Sequence, residues 1–263
     1  MLIGASTGVL YPHALTEDAV EALGRGGFVA VEVIVQTAGE YRPAFARRLA
    51  ARARAAGTTV ASLHTYTGLH PLFDPYPRRR EEGRAALLRA IDVAATLGAR
   101  SVVWHGPTRR ELPAGLASDR FREVLADVAQ AGAAAGVTLT LENVSWCLLR
   151  DAESVRLVRG WGLPVGFTFD PFQAAEAGVD TAALIAAMGD ALVNVHLSDH
   201  CPGGPRHLPP GEGTIPWPTV LGQLRAAGYA GPLILEGNCG GDLARLERSR
   251  RFVAALLEGV GSP

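Results

Sequence analysis

The chain has 263 residues, a formal net charge of −1 and 25 basic residues, every one of which is arginine. The missing lysine excludes reactions that need its amine: Schiff-base aldolase chemistry, pyridoxal phosphate held as an internal aldimine, and phosphate binding by a P-loop. The near-neutral charge gives no general attraction to nucleic acid, so a nucleic-acid partner is not expected. No apolar run is long enough to span a membrane.

The cysteine content and the N-terminus indicate the compartment. Cys147, Cys201 and Cys239 form an odd, sparse set without CxxC spacing, which favours a reducing environment over a disulfide framework. The first residues lack the basic region and the long apolar region of a signal peptide. The sequence therefore predicts a cytoplasmic protein.

Short runs rich in β-branched residues alternate with amphipathic stretches along the chain. Runs such as S-V-V-W and P-L-I-L-E are apolar throughout, as strands of a parallel sheet buried on both faces are. The predicted strands are 2–5, 28–35, 59–64, 101–105, 137–142, 165–169, 192–197 and 232–236. The predicted helices are 16–24, 43–56, 78–97, 119–135, 152–159, 181–187, 218–227 and 243–257.

Eight strand–helix units in 263 residues average about 33 residues each, which is the size typical of a (β/α)8 barrel. We therefore predict an α/β fold, a single-domain TIM barrel over residues 1–263. A doubly wound sheet is the alternative, but the chain contains neither a GxGxxG turn nor a P-loop to support it. The Pro/Gly-rich stretch 202–218 is interpreted as a long active-site loop after the seventh strand.

Acidic and histidine side chains are found at seven of the predicted strands, towards their ends. In such a barrel the carboxyl ends of all strands meet at one mouth, where active sites are built. Carboxylates gathered there repel one another and lose hydration, and a divalent cation would compensate for both costs. The seven residues are Glu32, His64, His105, Glu142, Asp170, His196 and Glu236.

Five segments of the sequence resemble the xylose isomerase-like TIM-barrel superfamily, which includes sugar phosphate isomerases, ketose 3-epimerases, inosose dehydratase and endonuclease IV. The resemblance covers essentially the whole chain, and its most specific part is the loop H-L-P-x-G-E-G after the strand V-H-L-S-D. The segments are TLENVS with Glu142, GFTFDPFQA with Asp170, NVHLSDH with His196, RHLPPGEGTIPW from Arg206 to Trp217, and LILEGN with Glu236.

The resemblance implies one divalent metal held by Glu142, Asp170, His196 and Glu236. Three carboxylates and one imidazole suit Mn²⁺ or Mg²⁺, with Co²⁺ and Zn²⁺ as competitors. The resemblance to the epimerases also implies that Glu142 and Glu236 are the catalytic acid and base. One glutamate would remove a proton beside a carbonyl, the metal would stabilise the enediolate, and a glutamate would return a proton to another carbon or face.

Six residues near the predicted mouth are expected to bind substrate. Gln173 stands where the epimerases commonly carry a histidine, and its amide can form hydrogen bonds but cannot carry a proton. Arg206 offers a fork of donors to a substrate oxygen or phosphate, with a solvated loop arginine as the equal alternative. Trp146 could stack on the apolar face of a sugar. The six are His64, His105, Trp146, Gln173, Arg206 and His207.

Endonuclease IV binds three zinc ions through nine ligands, and this chain departs from that pattern at two positions. Gln173 and Pro205 stand where a histidine and an aspartate are needed, and a proline side chain cannot bind a metal. A complete trinuclear cluster, and DNA-repair chemistry with it, is therefore not expected. The seven matching positions are His64, His105, Glu142, Asp170, His196, His207 and Glu236.

The sequence thus predicts a metal-dependent isomerase or epimerase of a small sugar, keto-sugar or hydroxy-keto acid. Three alternatives stay open: a dehydratase of the inosose or dehydroshikimate kind, an endonuclease IV-like phosphodiesterase, and a barrel that binds a sugar or metal without catalysis. The expected partner is a small-molecule substrate, and a homo-oligomer is left open. Tyr11, Tyr66 and His70, in loops after the first and third strands, are expected to shape substrate choice.

Overall fold

Parallel strands close into an eight-stranded barrel in the computed structural model of the chain, which describes residues 1–66, 71–112, 115 and 117–259. Each strand pairs in parallel with the next along the chain, and the eighth pairs with the first, so the predicted (β/α)8 fold is confirmed. The strands are β1 (Leu2–Ser6), β2 (Ala30–Ile34), β3 (Thr59–His64), β4 (Ser101–Trp104), β5 (Thr138–Glu142), β6 (Val165–Phe169), β7 (Leu192–Leu197) and β8 (Pro232–Leu235).

Helices follow the strands and cover the outside of the barrel. All eight predicted helices are present, with ends within two residues of those expected. Together with one helix that was not predicted, α6, the α-helices of the described residues are α1 (Thr16–Arg25), α2 (Pro43–Ala55), α3 (Pro77–Leu97), α4 (Asp119–Ala134), α5 (Ala152–Arg159), α6 (Pro171–Ala177), α7 (Thr181–Met188), α8 (Trp217–Ala226) and α9 (Leu243–Gly259). Within the described ranges, no helix is both long and apolar enough to cross a membrane. His70 lies outside the described residues.

Helix α6 was not predicted, because its seven residues are too few to show a helical period. Its ends nevertheless follow ordinary rules. Asp170 caps the start by accepting a hydrogen bond from the Gln173 N–H at 3.0 Å, and Pro171 occupies the first turn. Gly178 ends the helix at a φ of 66°, a left-handed conformation that glycine adopts without strain. The helix thus fixes the backbone that follows Asp170, a predicted metal ligand.

The barrel is buried on both faces, which explains why its strands are apolar throughout. All four residues of β4 are buried, and the Trp104 ring packs 6.1 Å from the Phe121 ring of α4. Trp104 is therefore a core residue between barrel and helices and does not stack on a sugar. Trp217 is likewise buried at the start of α8. Both rings contribute to packing, whereas Trp146 is 41% exposed.

One buried carboxylate organises the long loop between β7 and α8. Asp199 is fully buried and accepts four hydrogen bonds, from the N–H groups of His200, Gly211 and Ile215 and from the Trp217 indole, at 2.8 to 3.1 Å. A carboxylate bonded to several N–H groups replaces the hydration that it loses on burial. The loop is therefore folded back on the end of β7 and holds its middle section, which contains Arg206 and His207, near the barrel mouth.

Replacing Asp199 by alanine should lower the free energy of unfolding by about 3 kcal/mol, because four donors, three of them in buried hydrogen bonds, lose their acceptor. Urea unfolding followed by circular dichroism measures the loss. Asp190→Ala is the matched control, since this side chain is 89% exposed and pairs with Arg159 at the surface; its effect should stay below about 1 kcal/mol. Equal effects of the two substitutions would contradict the anchoring role of Asp199.

Candidate metal centre and active site

The four predicted metal ligands come together at the carboxyl ends of four consecutive strands. Glu142 is the last residue of β5, Asp170 follows β6, His196 is the second-last residue of β7 and Glu236 follows β8. One possible ligand atom from each lies within 4.8 Å of the others. Neighbouring parallel strands end at the same level of the barrel, so residues far apart in sequence meet here.

Asn143 links the ends of β5 and β6 and thereby positions Asp170. Its side-chain N–H donates to the Asp170 carbonyl, and its side-chain oxygen accepts from the Asp170 N–H, both at 2.8 Å. The Asn143 side-chain amide thus forms the pair of hydrogen bonds that the backbone of a neighbouring strand would form, at the point where both strands end. Sequence reasoning missed this residue, whose only trace was its position directly after Glu142.

Two of the predicted ligand atoms have the surroundings that a cation requires. Asp170 Oδ2 and His196 Nδ1 are buried and have no hydrogen-bond partner among the described residues. The same His196 Nδ1 lies 3.1 Å from Glu236 Oε2 and 3.4 Å from Glu142 Oε1. Buried polar atoms are normally satisfied, and carboxylate oxygens with one imidazole suit a hard divalent ion. These residues therefore fit the metal that the sequence predicts.

His64 and His105, predicted as substrate-binding residues, lie against the other oxygen of Glu142. Their Nε2 atoms are 3.2 and 3.3 Å from Glu142 Oε2 and 3.1 Å from each other. The His64 ring is held from behind, because its Nδ1 lies 2.8 Å from the Thr65 carbonyl oxygen, which can only accept. Together with Glu142 these two imidazoles form a second group of described side chains that could hold a cation.

The buried charges of the cluster shift one another strongly. Burial, and then the charges of Glu142 and Glu236, raise the pKa of Asp170 well above its usual range. Burial alone would also raise the pKa of Glu142, but the imidazoles of His196 and His105 hold it well below the ordinary value. Burial opposes protonation of His196, yet the surrounding carboxylates, Glu236 first, raise its pKa well above normal. Negative charge therefore dominates this site.

Gln173 is buried beside the predicted ligands with a fixed orientation. Its Oε1 accepts hydrogen bonds from the Ser145 N–H at 3.0 Å and from the Ser145 hydroxyl at 2.9 Å. Because Ser145 engages the oxygen, the amide nitrogen is left to serve as a donor. A side chain held in this way could bind a substrate oxygen at one defined place.

Arg206, His207 and Trp146 are the more exposed of the six predicted substrate-binding residues. The Arg206 side chain is 52% exposed, pairs with Glu176 at 2.8 Å and lies over the Phe172 ring. His207 packs on the same ring with centroids 4.5 Å apart, and burial lowers its pKa below the ordinary value. Trp146 is 41% exposed and its ring meets that of His105 edge to face at 5.6 Å.

Glu32 differs from the other six strand-end residues. It lies in the middle of β2 and is fully buried, and its carboxylate is 3.1 Å from His196 Nε2. The sequence analysis grouped Glu32 with the residues at the mouth, although three residues of the predicted strand 28–35 follow it. The structure makes it a neighbour of a predicted ligand and not a ligand itself.

The family model of the xylose isomerase-like TIM barrel matches residues 18–256. The chain belongs to this family. The match covers most of the chain, in agreement with the resemblance carried by the five sequence segments. Membership in the xylose isomerase-like family fixes the fold and leaves the reaction to the residues of the site.

Similar proteins have been found among both sequences and solved structures. An uncharacterised protein of Mycobacterium bovis is 28% identical over 97% of this chain and 95% of its own length. A D-tagatose 3-epimerase-like protein has a TM-score of 0.83 at 23% identity, covering 99% of this chain and 98% of that one. An L-ribulose 3-epimerase has a TM-score of 0.80 at 22% identity, covering 99% and 96%. At such identities the structural likeness shows the fold alone.

The metal-free protein should lose stability as the pH rises. Neighbouring carboxylates, acting against burial, raise the pKa of His64 from 6.5 to about 9. Its protonation therefore stabilises the fold fully below pH 6.5, and this contribution disappears as the pH rises through about 9. Protonation of His64 contributes at most roughly 3 kcal/mol to the free energy of unfolding, at about 1.4 kcal/mol for each pH unit between its ordinary and its raised pKa.

Urea unfolding in the presence of a chelator, between pH 6 and 9.5, measures this loss. His64→Gln is the comparison, because glutamine keeps hydrogen-bonding capacity without a titrating ring. The variant should show a smaller fall in the free energy of unfolding across the same interval. Parallel pH profiles for the two proteins would show that His64 does not carry the effect.

Proposed function

We propose that this xylose isomerase-like barrel is a divalent-metal-dependent isomerase or epimerase of a small ketose, keto-sugar or hydroxy-keto acid. The observation that carries the proposal is the meeting of two glutamates, Glu142 and Glu236, at one buried imidazole nitrogen of His196, at 3.4 and 3.1 Å. Two carboxylates beside one cation site are what a reaction needs if it removes a proton and returns it elsewhere. The names of the two structural neighbours, a D-tagatose 3-epimerase-like protein and an L-ribulose 3-epimerase, support this class of reaction.

Glu142, Asp170, His196 and Glu236 would hold the cation. When bound, it would polarise the carbonyl and an adjacent hydroxyl of the substrate and acidify the neighbouring C–H group. The ligand set favours Mn²⁺ or Mg²⁺ and leaves Co²⁺ and Zn²⁺ as alternatives. The chain has no lysine, so no ammonium group can supply this polarisation.

The two glutamates move the protons. Glu142 has a 3% exposed side chain enclosed by imidazoles, whereas the Glu236 side chain is 14% exposed. One removes the proton beside the carbonyl, and the other, or the same one, returns a proton to a different carbon or face. His64 and His105 orient Glu142 through their ring nitrogens, which lie against its outer oxygen. The pair thus combines a shielded carboxylate with a more accessible one.

The remaining side chains select and orient the substrate. Gln173 donates from its fixed amide, while Arg206 and His207, in the loop anchored by Asp199, can bind hydroxyl, carboxylate or phosphate oxygens. The half-exposed face of Trp146 can stack on the apolar side of a sugar. These contacts define a small polar molecule as the partner of the site.

Metal analysis provides the first test. Protein dialysed against Mn²⁺ should retain close to one divalent ion per chain, and Glu142→Gln or Glu236→Gln should lose most of it, because each removes one charged ligand of a four-residue site. Glu153→Gln, at an exposed position of α5, should keep the full metal content. Unchanged metal content in both site variants would contradict the ligand assignment, and two ions per chain would make His64 and His105 ligands.

Proton exchange provides the second test. The metal-loaded protein, incubated in deuterated water with a panel of ketoses and 2-keto sugar acids, should exchange the hydrogen beside the carbonyl of its substrate, as seen by proton NMR. Glu236→Gln removes both a predicted ligand and a proton-transfer group, so it should slow this exchange by at least the roughly 10²–10⁴-fold that a general acid or base contributes, and Glu153→Gln should not.

The open alternatives give different results in the same experiments. Metal binding without exchange on any compound would indicate a binding protein. An absorbing enone product would indicate a dehydratase. Cleavage of a duplex with an abasic site would indicate a phosphodiesterase.

A further inference from the structure

The His196 ring lies between two sets of carboxylates and presents a different nitrogen to each. Nδ1 faces Glu142 and Glu236, the predicted ligands, while Nε2 lies 3.1 Å from Oε2 of Glu32. Both His196 and Glu32 are fully buried. An imidazole can bind a cation through only one nitrogen at this place, so the partner of the other nitrogen determines which one is available.

The Glu32 carboxylate is itself held in place from two other strands. Ser62, its direct partner in the β2–β3 register, donates its hydroxyl to Glu32 Oε2 at 2.6 Å. Asn194 donates its side-chain N–H to the same oxygen at 2.9 Å, and its amide nitrogen also lies 3.2 Å from His196 Nε2. Asn194 precedes His196 by two residues on β7, so both side chains point to the same face of the strand, the barrel interior. Glu32 reaches this face from β2, on the other side of the closed sheet.

His64 shows that the arrangement of His196 is specific. The His64 ring donates from Nδ1 to a neutral carbonyl oxygen, that of Thr65, and turns Nε2 toward Glu142. His196 does the reverse, with Nε2 on a carboxylate and Nδ1 toward the predicted ligands. The two histidines therefore turn opposite nitrogens toward Glu142, and of the two rings His196 has the carboxylate of Glu32 on its other side.

The charge of Glu32 is a cost to the fold. A fully buried carboxylate is destabilising unless its partners compensate, and Oε1 of Glu32 has no hydrogen-bond partner within the described part of the chain. A neutral glutamine of the same shape could fill this place, but its amide carries a donor as well as an acceptor and would not hold the His196 proton on Nε2. Packing therefore does not require an acidic residue here, and a role at the metal centre would.

We propose that Glu32 is the positioning residue of the metal centre, keeping the proton of His196 on Nε2 so that Nδ1 is offered to the cation. The inference rests on the proposed metal-dependent function. Carboxylates behind metal-binding histidines fix the tautomer and the ring orientation and make the imidazole a stronger ligand. Glu32 contacts His196 through Nε2, the nitrogen turned away from Glu142 and Glu236, so it acts through His196.

The test compares Co²⁺ binding by Glu32→Gln and by the unaltered protein, using competition with a chromophoric chelator after removal of endogenous metal. The variant should bind Co²⁺ about 10- to 100-fold more weakly, as is usual when such a partner is lost. The visible absorption spectrum of the bound Co²⁺ should also change, because the ligand field depends on the His196 ring. Altered packing elsewhere in the barrel would leave that spectrum as it was.

Ser62→Ala is the matched control. It removes one hydrogen bond from Glu32 and leaves the carboxylate and its contact with His196 in place. This variant should keep the affinity and the Co²⁺ spectrum of the unaltered protein. A folded Glu32→Gln protein with unchanged affinity and spectrum would overturn the inference alone. An unaltered protein that binds no divalent cation would overturn the proposed function as well.

A second measurement does not depend on the folding of any variant. In the unaltered protein, labelled with ¹⁵N-histidine and loaded with diamagnetic Zn²⁺, the nitrogen shifts and proton couplings of His196 identify its protonated nitrogen. The proton is expected on Nε2, and the His64 ring, anchored by Thr65, should carry its own on Nδ1. A His196 proton on Nδ1 would overturn the inference.

Discussion

The burial of like charge is the constraint on which the rest of this site depends. Glu142 and Asp170 are almost completely buried at one end of the barrel, Glu236 is mostly buried beside them, and Glu32 is enclosed behind His196. Such carboxylates repel one another, and burial removes the water that would screen them. The carboxylates raise the pKa of His196, and a protonated imidazole compensates part of their negative charge. A divalent cation at the same place would compensate more of this negative charge, and the same carboxylates would then serve as its ligands.

The fold tolerates this concentration of charge because backbone and side-chain hydrogen bonds fix each group independently. Asn143 holds Asp170 by both of its main-chain groups, and Asp199 holds the loop that contains Arg206 and His207. Neither residue is a predicted ligand. A closed sheet adds to their effect, since every strand has two neighbours and none can shift without breaking a register. The predicted ligands are therefore placed by structure that would persist with or without the cation, as preorganised sites require.

The sequence predicted the barrel and the grouping of the four ligand candidates more securely than it predicted what surrounds them. Strands buried on both faces are apolar throughout, so their number and spacing could be read directly, and an acidic or histidine residue after an apolar run marks the mouth. Helix α6 is too short for a period, and Asn143 and Asp199 act through contacts across strands, which no local pattern records. Glu32 illustrates the same limit. The sequence shows that an acidic residue lies here, but only the structure shows that it lies within β2 and contacts His196.

The residues around the predicted ligands limit which side chains could transfer a proton to or from a substrate. A lysine base is excluded by composition, and Gln173, held through its oxygen by Ser145, can donate a hydrogen bond but cannot carry a proton. His64 and His105 lie against Glu142, and His196 is enclosed between Glu32 and the predicted ligands. In the proposed reaction, proton transfer to a substrate carbon would therefore fall to Glu142 and Glu236, whose side chains are unequally exposed. In that reaction the inequality would give each carboxylate a separate role: the shielded one would keep the proton that it removes away from water, and the other would be more accessible to solvent between turnovers.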